Sequence, residues 1–152
     1  MNNGGSAPPD RGCTTSVVPQ ERQRLRELSS RLVRLHSLLL DRERRAYEDQ
    51  HGPVGPRELL HLLINDEQFA WLRSLSTLMA QIDALVDAGE PVAVADAQLL
   101  LRETYRLLKS GDSGAFQNKY RDALQESPDV VMVHAGISEL LRGEGEPRAA
   151  TS

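Results

Sequence analysis

Five leucines, Leu25, Leu28, Leu32, Leu35 and Leu39, recur at intervals of 3, 4, 3 and 4 residues. That alternation brings a side chain back to one side of a 3.6-residue helix at every turn. It does not fit the period of two that a half-buried strand requires. A chain carrying it must form a long amphipathic helix and cover the resulting stripe with other elements. Val33 and Leu38 widen the stripe. Arg22, Arg24, Arg26, Glu27, Arg31, Arg34 and the run Asp41-Arg42-Glu43-Arg44-Arg45 lie off it and read as a solvated, ion-paired face. The spacing predicts a helix from about Pro19, a residue suited to a first turn, to Gln50. His51-Gly52-Pro53-Val54-Gly55-Pro56 then stops it.

The same period returns downstream. Pro56 suits a second helix start, and RELLHLLI to about Ile64 is apolar on most sides. Asn65-Asp66 can cap a new helix, with Gln68 placed to close a capping box on Asn65, so a break is predicted there. A third helix over about 66–88 places Leu72, Leu75, Met79, Ile82 and Val86 on one side. A fourth, over about 92–109, does so with Val94, Ala97, Leu101, Thr104 and Leu108. After the turn-forming Ser110–Gly114, Phe116, Tyr120 and Ala123 share a face. Ser127-Pro128 reads as a fresh cap with a first-turn proline, and Val130, Val133, Ile137 and Leu140 continue to Arg142, with Gly143 as the stop. Gly136 inside that stripe is a weak helix former. Several amphipathic helices on short loops predict an all-α antiparallel bundle, with four main helices and a short capping helix at 56–64.

The ends read differently. Residues 1–18 and 143–152 are rich in Gly, Pro, Ser, Thr and Asn or are short and polar, and carry too little apolar surface to offset ordering. The expected organisation is a disordered tail over 1–18, a helical domain over 19–142 and a second tail over 143–152. Cys13 is the only cysteine, so no internal disulfide can form, which fits a reducing compartment. Residues 1–18 lack the pattern of a signal peptide, and no apolar run approaches a membrane span. A cytoplasmic protein without membrane contact is expected. The net charge of −4 argues against bulk attraction to nucleic acid or anionic lipid.

Three constellations could carry chemistry. Glu-x-x-His occurs twice, as Glu48/His51 and Glu58/His61, a spacing that puts both side chains on one helical face. Di-iron bundles use two such pairs from separate helices together with two further glutamates. Here the pairs are ten residues apart, the first abuts a Gly/Pro loop, and only Asp83 or Glu103 could complete the set. No cofactor or metal is therefore expected, and Glu58 and His61 form the weaker, oxidoreductase-like alternative. His36 and His134 read as hydrogen-bonded boundary residues. The second constellation is the arginine excess over residues 20–45, eight against four acids. It could touch nucleic acid, but it is interleaved with acids and lacks stacking aromatics. The third is the apolar segment at 56–64 followed by Phe69 and Trp71. Exposed, it would mark an interface, with Leu59, Leu63, Phe69 and Trp71 as candidate partner-binding residues; buried, it would roof the core. Walker, GxGxxG, HExxH and CxxC signatures are absent from the sequence.

The stretch ELLHLLINDEQFAWLRSLSTLMAQIDAL, at about residues 58–85, resembles small, uncharacterised bacterial α-helical proteins. The resemblance implies a bacterial origin and no particular activity. The expected function is action through protein contacts with an unknown partner, with a homodimer as its simplest form and no catalytic residues.

Overall fold

A computed structural model of the chain describes residues 11–89, 91–111 and 113–142. Among these the order is α1 (Arg11–His51), α2 (Pro56–Asn65), a 3-10 helix (Glu67–Leu72), α3 (Arg73–Asp87), α4 (Val94–Lys109), α5 (Ala115–Glu126) and α6 (Pro128–Leu140). The described residues contain no strand. The expected all-helical class is therefore observed. Most of the two expected tails, at 1–10 and 143–152, lies outside the described residues, as does Gly143.

The first helix starts earlier than its spacing predicts, at Arg11 rather than Pro19. Once the leucine stripe has stabilised a helix, adding each further residue is cheap, so the start need not coincide with the stripe. Pro19 then stands inside the helix and lacks the N–H that would bond back to Thr15. The other end is as expected. Gly52 takes the left-handed conformation, φ 89°, and its N–H donates to the Glu48 carbonyl at 2.8 Å. The Glu48 carboxylate then accepts from the Val54 N–H at 2.9 Å, holding the loop that follows. Because an added Cβ at Gly52 would meet open space, Gly52→Ala tests backbone strain alone. It is expected to cost about 1 kcal/mol in urea denaturation, and Gly52→Asn less.

α1 is the axis. All five of its seam leucines are fully buried, and α3, α4, α6 and the 3-10 helix pack on it. Polar contacts fix the register. Arg22 donates to the Val86 carbonyl, Ser29 donates to Asp83 at 2.7 Å, and His36 meets Ser76 at 2.9 Å. The partners descend as α1 ascends, so α3 runs opposite to α1. On the other flank Arg24 donates to the Leu140 carbonyl at 2.9 Å and Arg31 to that of Gly136 at 3.1 Å. α6 therefore also runs opposite to α1. A Cβ at Gly136 would sit 2.7 Å from the Arg31 guanidinium, the mobile end of a long side chain, so a larger residue there would be accommodated by a shift of Arg31. Leu75, Ile82, Leu101, Ile137 and Leu141 close over the seam. Val94, expected in the fourth stripe, is 42% exposed at the first residue of α4; Val92 in the preceding loop is buried instead.

The joint between α2 and α3 is also shifted by one residue. Asp66, not Asn65, caps the 3-10 helix by accepting from the Gln68 N–H at 2.8 Å. Asn65 belongs to α2, where its amide turns back to the His61 carbonyl at 3.2 Å. Asp and Asn cap equally well, so composition could not rank the two neighbours. Ser127 caps α6 as expected, accepting from the Val130 N–H, with Pro128 next to it.

Candidate functional site

The feature of greatest chemical interest was concealed in a charge run. Glu43 stands about one turn beyond Leu39, one position past Arg42, where the alternation would place its next member, and it is 7% exposed. It was expected on the solvated face and is instead buried. The 3-10 helix brings two donors to it: Trp71 Nε1 donates to Oε1 and Gln68 Nε2 to Oε2, each at 2.8 Å. Lys119 on α5 supplies the countercharge, with Nζ 3.7 Å from Oε1. A buried carboxylate is tolerable only when paired and hydrogen-bonded in this way. Both oxygens are engaged, so Glu43 is a clasp between α1, the 3-10 helix and α5. The neighbours in the run behave as expected. Asp41 pairs with Arg44 and with Arg45, at 2.5 Å for the latter, and Arg42 reaches Glu126 on α5 at 2.5 Å.

From the clasp an aromatic ladder runs to α6. Trp71 meets Phe116, Phe116 meets Tyr120, and Tyr120 meets His134, with ring centroids 5.6, 5.3 and 5.6 Å apart. The Tyr120 hydroxyl lies 2.7 Å from His134 Nδ1, which accepts from it in the tautomer protonated at Nε2. Burial pushes the Tyr120 hydroxyl well above its ordinary range, so it remains a donor. Burial, and secondarily the Lys109 charge, holds His134 below its ordinary value. Burial does the same to His36. The Ser76 hydroxyl lies 2.9 Å from His36 Nε2 and 3.3 Å from the Leu72 carbonyl, so His36 has a hydrogen-bond partner in either neutral tautomer.

Both histidines are thus held neutral, which fixes the sign of a pH effect. Below the ordinary value of 6.5 the unfolded chain takes up protons that the fold resists. Stability is full above that pH and falls as the pH drops through it, until the folded values are passed. Urea denaturation at pH 7.5 and 5.5 is expected to give a lower stability at 5.5. His36→Asn and His134→Asn should each flatten the difference; an unchanged profile in both would remove the histidines as its source.

The two Glu-x-x-His pairs do not meet. Glu48 is engaged with Val54, and His51 stacks on Tyr47 at 4.1 Å. Glu58 and His61 are both exposed on α2, and His61 Nδ1 lies 3.3 Å from the Asn65 amide. Among the described residues no group of three or more His, Cys, Asp or Glu side chains is placed to hold a metal ion.

The partner-binding candidates divide. Phe69 is fully buried and Trp71 is 7% exposed, so both are core side chains. The 3-10 helix turns them inward onto α1 and α5, a direction that the period of an α-helix could not give. Leu59 and Leu63 are half-buried and lean on the same core. The apolar residues that α2 presents to solvent are Leu60, 57% exposed, and Ile64, 58% exposed. Exposed Arg57 and His61 lie beside them, giving a strip at positions i, i+3, i+4 and i+7. The signal was available: Leu62 is the buried member of α2, and Leu60 and Ile64 are off its face.

A second surface feature lies between α3 and α4. Two cavities of about 610 and 450 Å³ share Gln81 and Glu103 and form one groove. Leu85, Leu99 and Leu100 line its wider part, with Asp96 and Glu103 along the α4 wall. Leu99 is 50% exposed there. In the run Leu99-Leu100-Leu101 three consecutive side chains cannot all face one core, so one had to lie outside it.

No protein-family model, curated protein or solved structure matches this chain.

Proposed function

We propose that this chain is a small cytoplasmic helical-bundle protein that acts by binding another protein chain. In this reading α1, α3, α4 and the α5–α6 pair are the four main members of an antiparallel bundle, and α2 is a short cap that carries the contact surface. The observation behind it is the α2 strip. Two large aliphatic side chains, each more than half exposed, stand one turn apart and are flanked by Arg57 and His61. Apolar residues grouped in this way, with a polar rim, are the usual form of a protein interface. Among the described residues no helix is long and apolar enough to cross a membrane. A bacterial source, suggested by the resemblance of residues 58–85, belongs to the same proposal.

The test uses two baits in the native cell, the wild-type chain and Leu60→Asp/Ile64→Asp. Both sites are exposed, so the thermal midpoint should barely move. Specific partners should be recovered by the wild type and lost with the variant. Equal recovery by the two baits would remove α2 as the contact surface.

A further inference from the structure

We infer that α6 is an acid-released latch: a proton on the His134 ring strands the Tyr120 hydroxyl and frees α6 from α1, while the rest of the bundle stays assembled. The two half-buried histidines differ in what their partners can do. His36 meets the Ser76 hydroxyl, which also reaches the Leu72 carbonyl at 3.3 Å. A ring protonated on both nitrogens donates to Ser76, Ser76 donates on to Leu72, and every group stays paired. His134 has no such relay. Its Nδ1 accepts from the Tyr120 hydroxyl at 2.7 Å, and Tyr120 is 2% exposed. Among the described residues that hydroxyl has no other hydrogen-bond partner. Once Nδ1 carries a proton, two donors face each other. The hydroxyl can turn to accept, but its own proton is then left unpaired in the core, at the cost of a stranded buried donor.

The charges around the ring also oppose a proton there. From α4, Lys109 donates to Ser138 at 3.1 Å, one turn along α6 from His134 and on the same face. From α1, Arg24 and Arg31 bear on the Leu140 and Gly136 carbonyls of α6. From α5, Tyr120 is the titratable group that reaches the ring. On α6 itself, Asp129 and Glu139 each stand five positions away and off the face of His134. Among the described residues no carboxylate pairs with the ring to offset an added charge. The latch is therefore closed above the ordinary histidine value of 6.5 and opens as the pH falls below it.

The remaining locks do not pass through α6. Ser29–Asp83 and His36–Ser76 join α1 to α3, and the Glu43 clasp and Arg42–Glu126 join it to the 3-10 helix and α5. α6 is the last of the described helices, and an element at one end of the order can open locally at less cost than the whole fold. Its departure bares Val130, Ile137 and the flank of the leucine seam that it covers, so acid turns a closed bundle into one with an apolar face.

Hydrogen exchange on the full chain at pH 7.5 and at about pH 5, corrected for intrinsic rates, tests this. The α6 amides are expected to lose protection about ten-fold or more at the lower pH, as one stranded donor predicts. Those of α1 and α3 should keep theirs, and Trp71 emission should not move, since the clasp stays shut. His134→Asn keeps an acceptor for Tyr120 without a titrating ring and should hold α6 protected at both pH values. Tyr120→Phe, with no hydroxyl to strand, should shrink the difference, and His36→Asn should leave it in place. Protection of α6 that is equal at the two pH values, or lost together with that of α1 and α3, would overturn the latch. So would an undiminished loss in both His134→Asn and Tyr120→Phe.

Discussion

Glu43→Ala is expected to lower the stability of the fold by about 2–4 kcal/mol. The substitution removes the acceptor of a buried indole N–H and of the Gln68 amide together. An unsatisfied buried donor alone costs about 1–3 kcal/mol, and removing one member of a buried pair about 3–5. The estimate lies below the sum because Lys119 is half-exposed and can rehydrate. Glu43→Gln keeps one carbonyl for Trp71 and should cost about 1 kcal/mol. Trp71 is the only tryptophan, so its fluorescence in a urea titration reports both the stability and the polarity at the clasp. In the alanine variant the native emission should shift to the red. A Glu43→Ala protein within 0.5 kcal/mol of the wild type would show that the clasp is incidental.

The second large effect is on the seam. Leu35→Ala removes a fully buried side chain at the middle of α1 and should cost roughly 2–5 kcal/mol, the spread depending on how far the flanking helices can close on the cavity. Its neighbour Arg34 is exposed, and Arg34→Ala should fall within about 0.5 kcal/mol of the wild type. Chemical denaturation of the pair measures the register of α1 directly. Equal losses at the two positions would place the seam on the wrong face.

Periodicity made the seam legible. Leu25 to Leu39 repeat at the helical period, all five are buried, and Ser127-Pro128 starts a helix where the cap chemistry says it should. Other features escaped because they depend on partners distant in sequence. Glu43 lies one position past the seam's next member and inside a run of charges, and only the arrival of Trp71 and Lys119 makes its burial tolerable. Phe69 and Trp71 follow an apolar helix that reads equally as an exposed interface or as a roof over the core. The 3-10 helix reorients both, and the signal for it, a capping residue at Asp66 after an equally good one at Asn65, was ambiguous by one position. The α3–α4 groove could not be read from either helix alone, since each contributes one wall.

The arginine contacts from α1 to α6 join residues more than one hundred positions apart, and this has a consequence for the order in which a ribosome releases the chain. α1 emerges first with its leucine stripe bare. One flank can be covered once α3, ending at Asp87, has emerged, but the other waits for α6, which ends at Leu140, roughly fifty residues later. At about 5–20 residues per second that interval lasts on the order of several seconds. During it the nascent chain carries a leucine stripe whose second flank is still uncovered. Emergence of α6 is then the step that completes the cover of the seam.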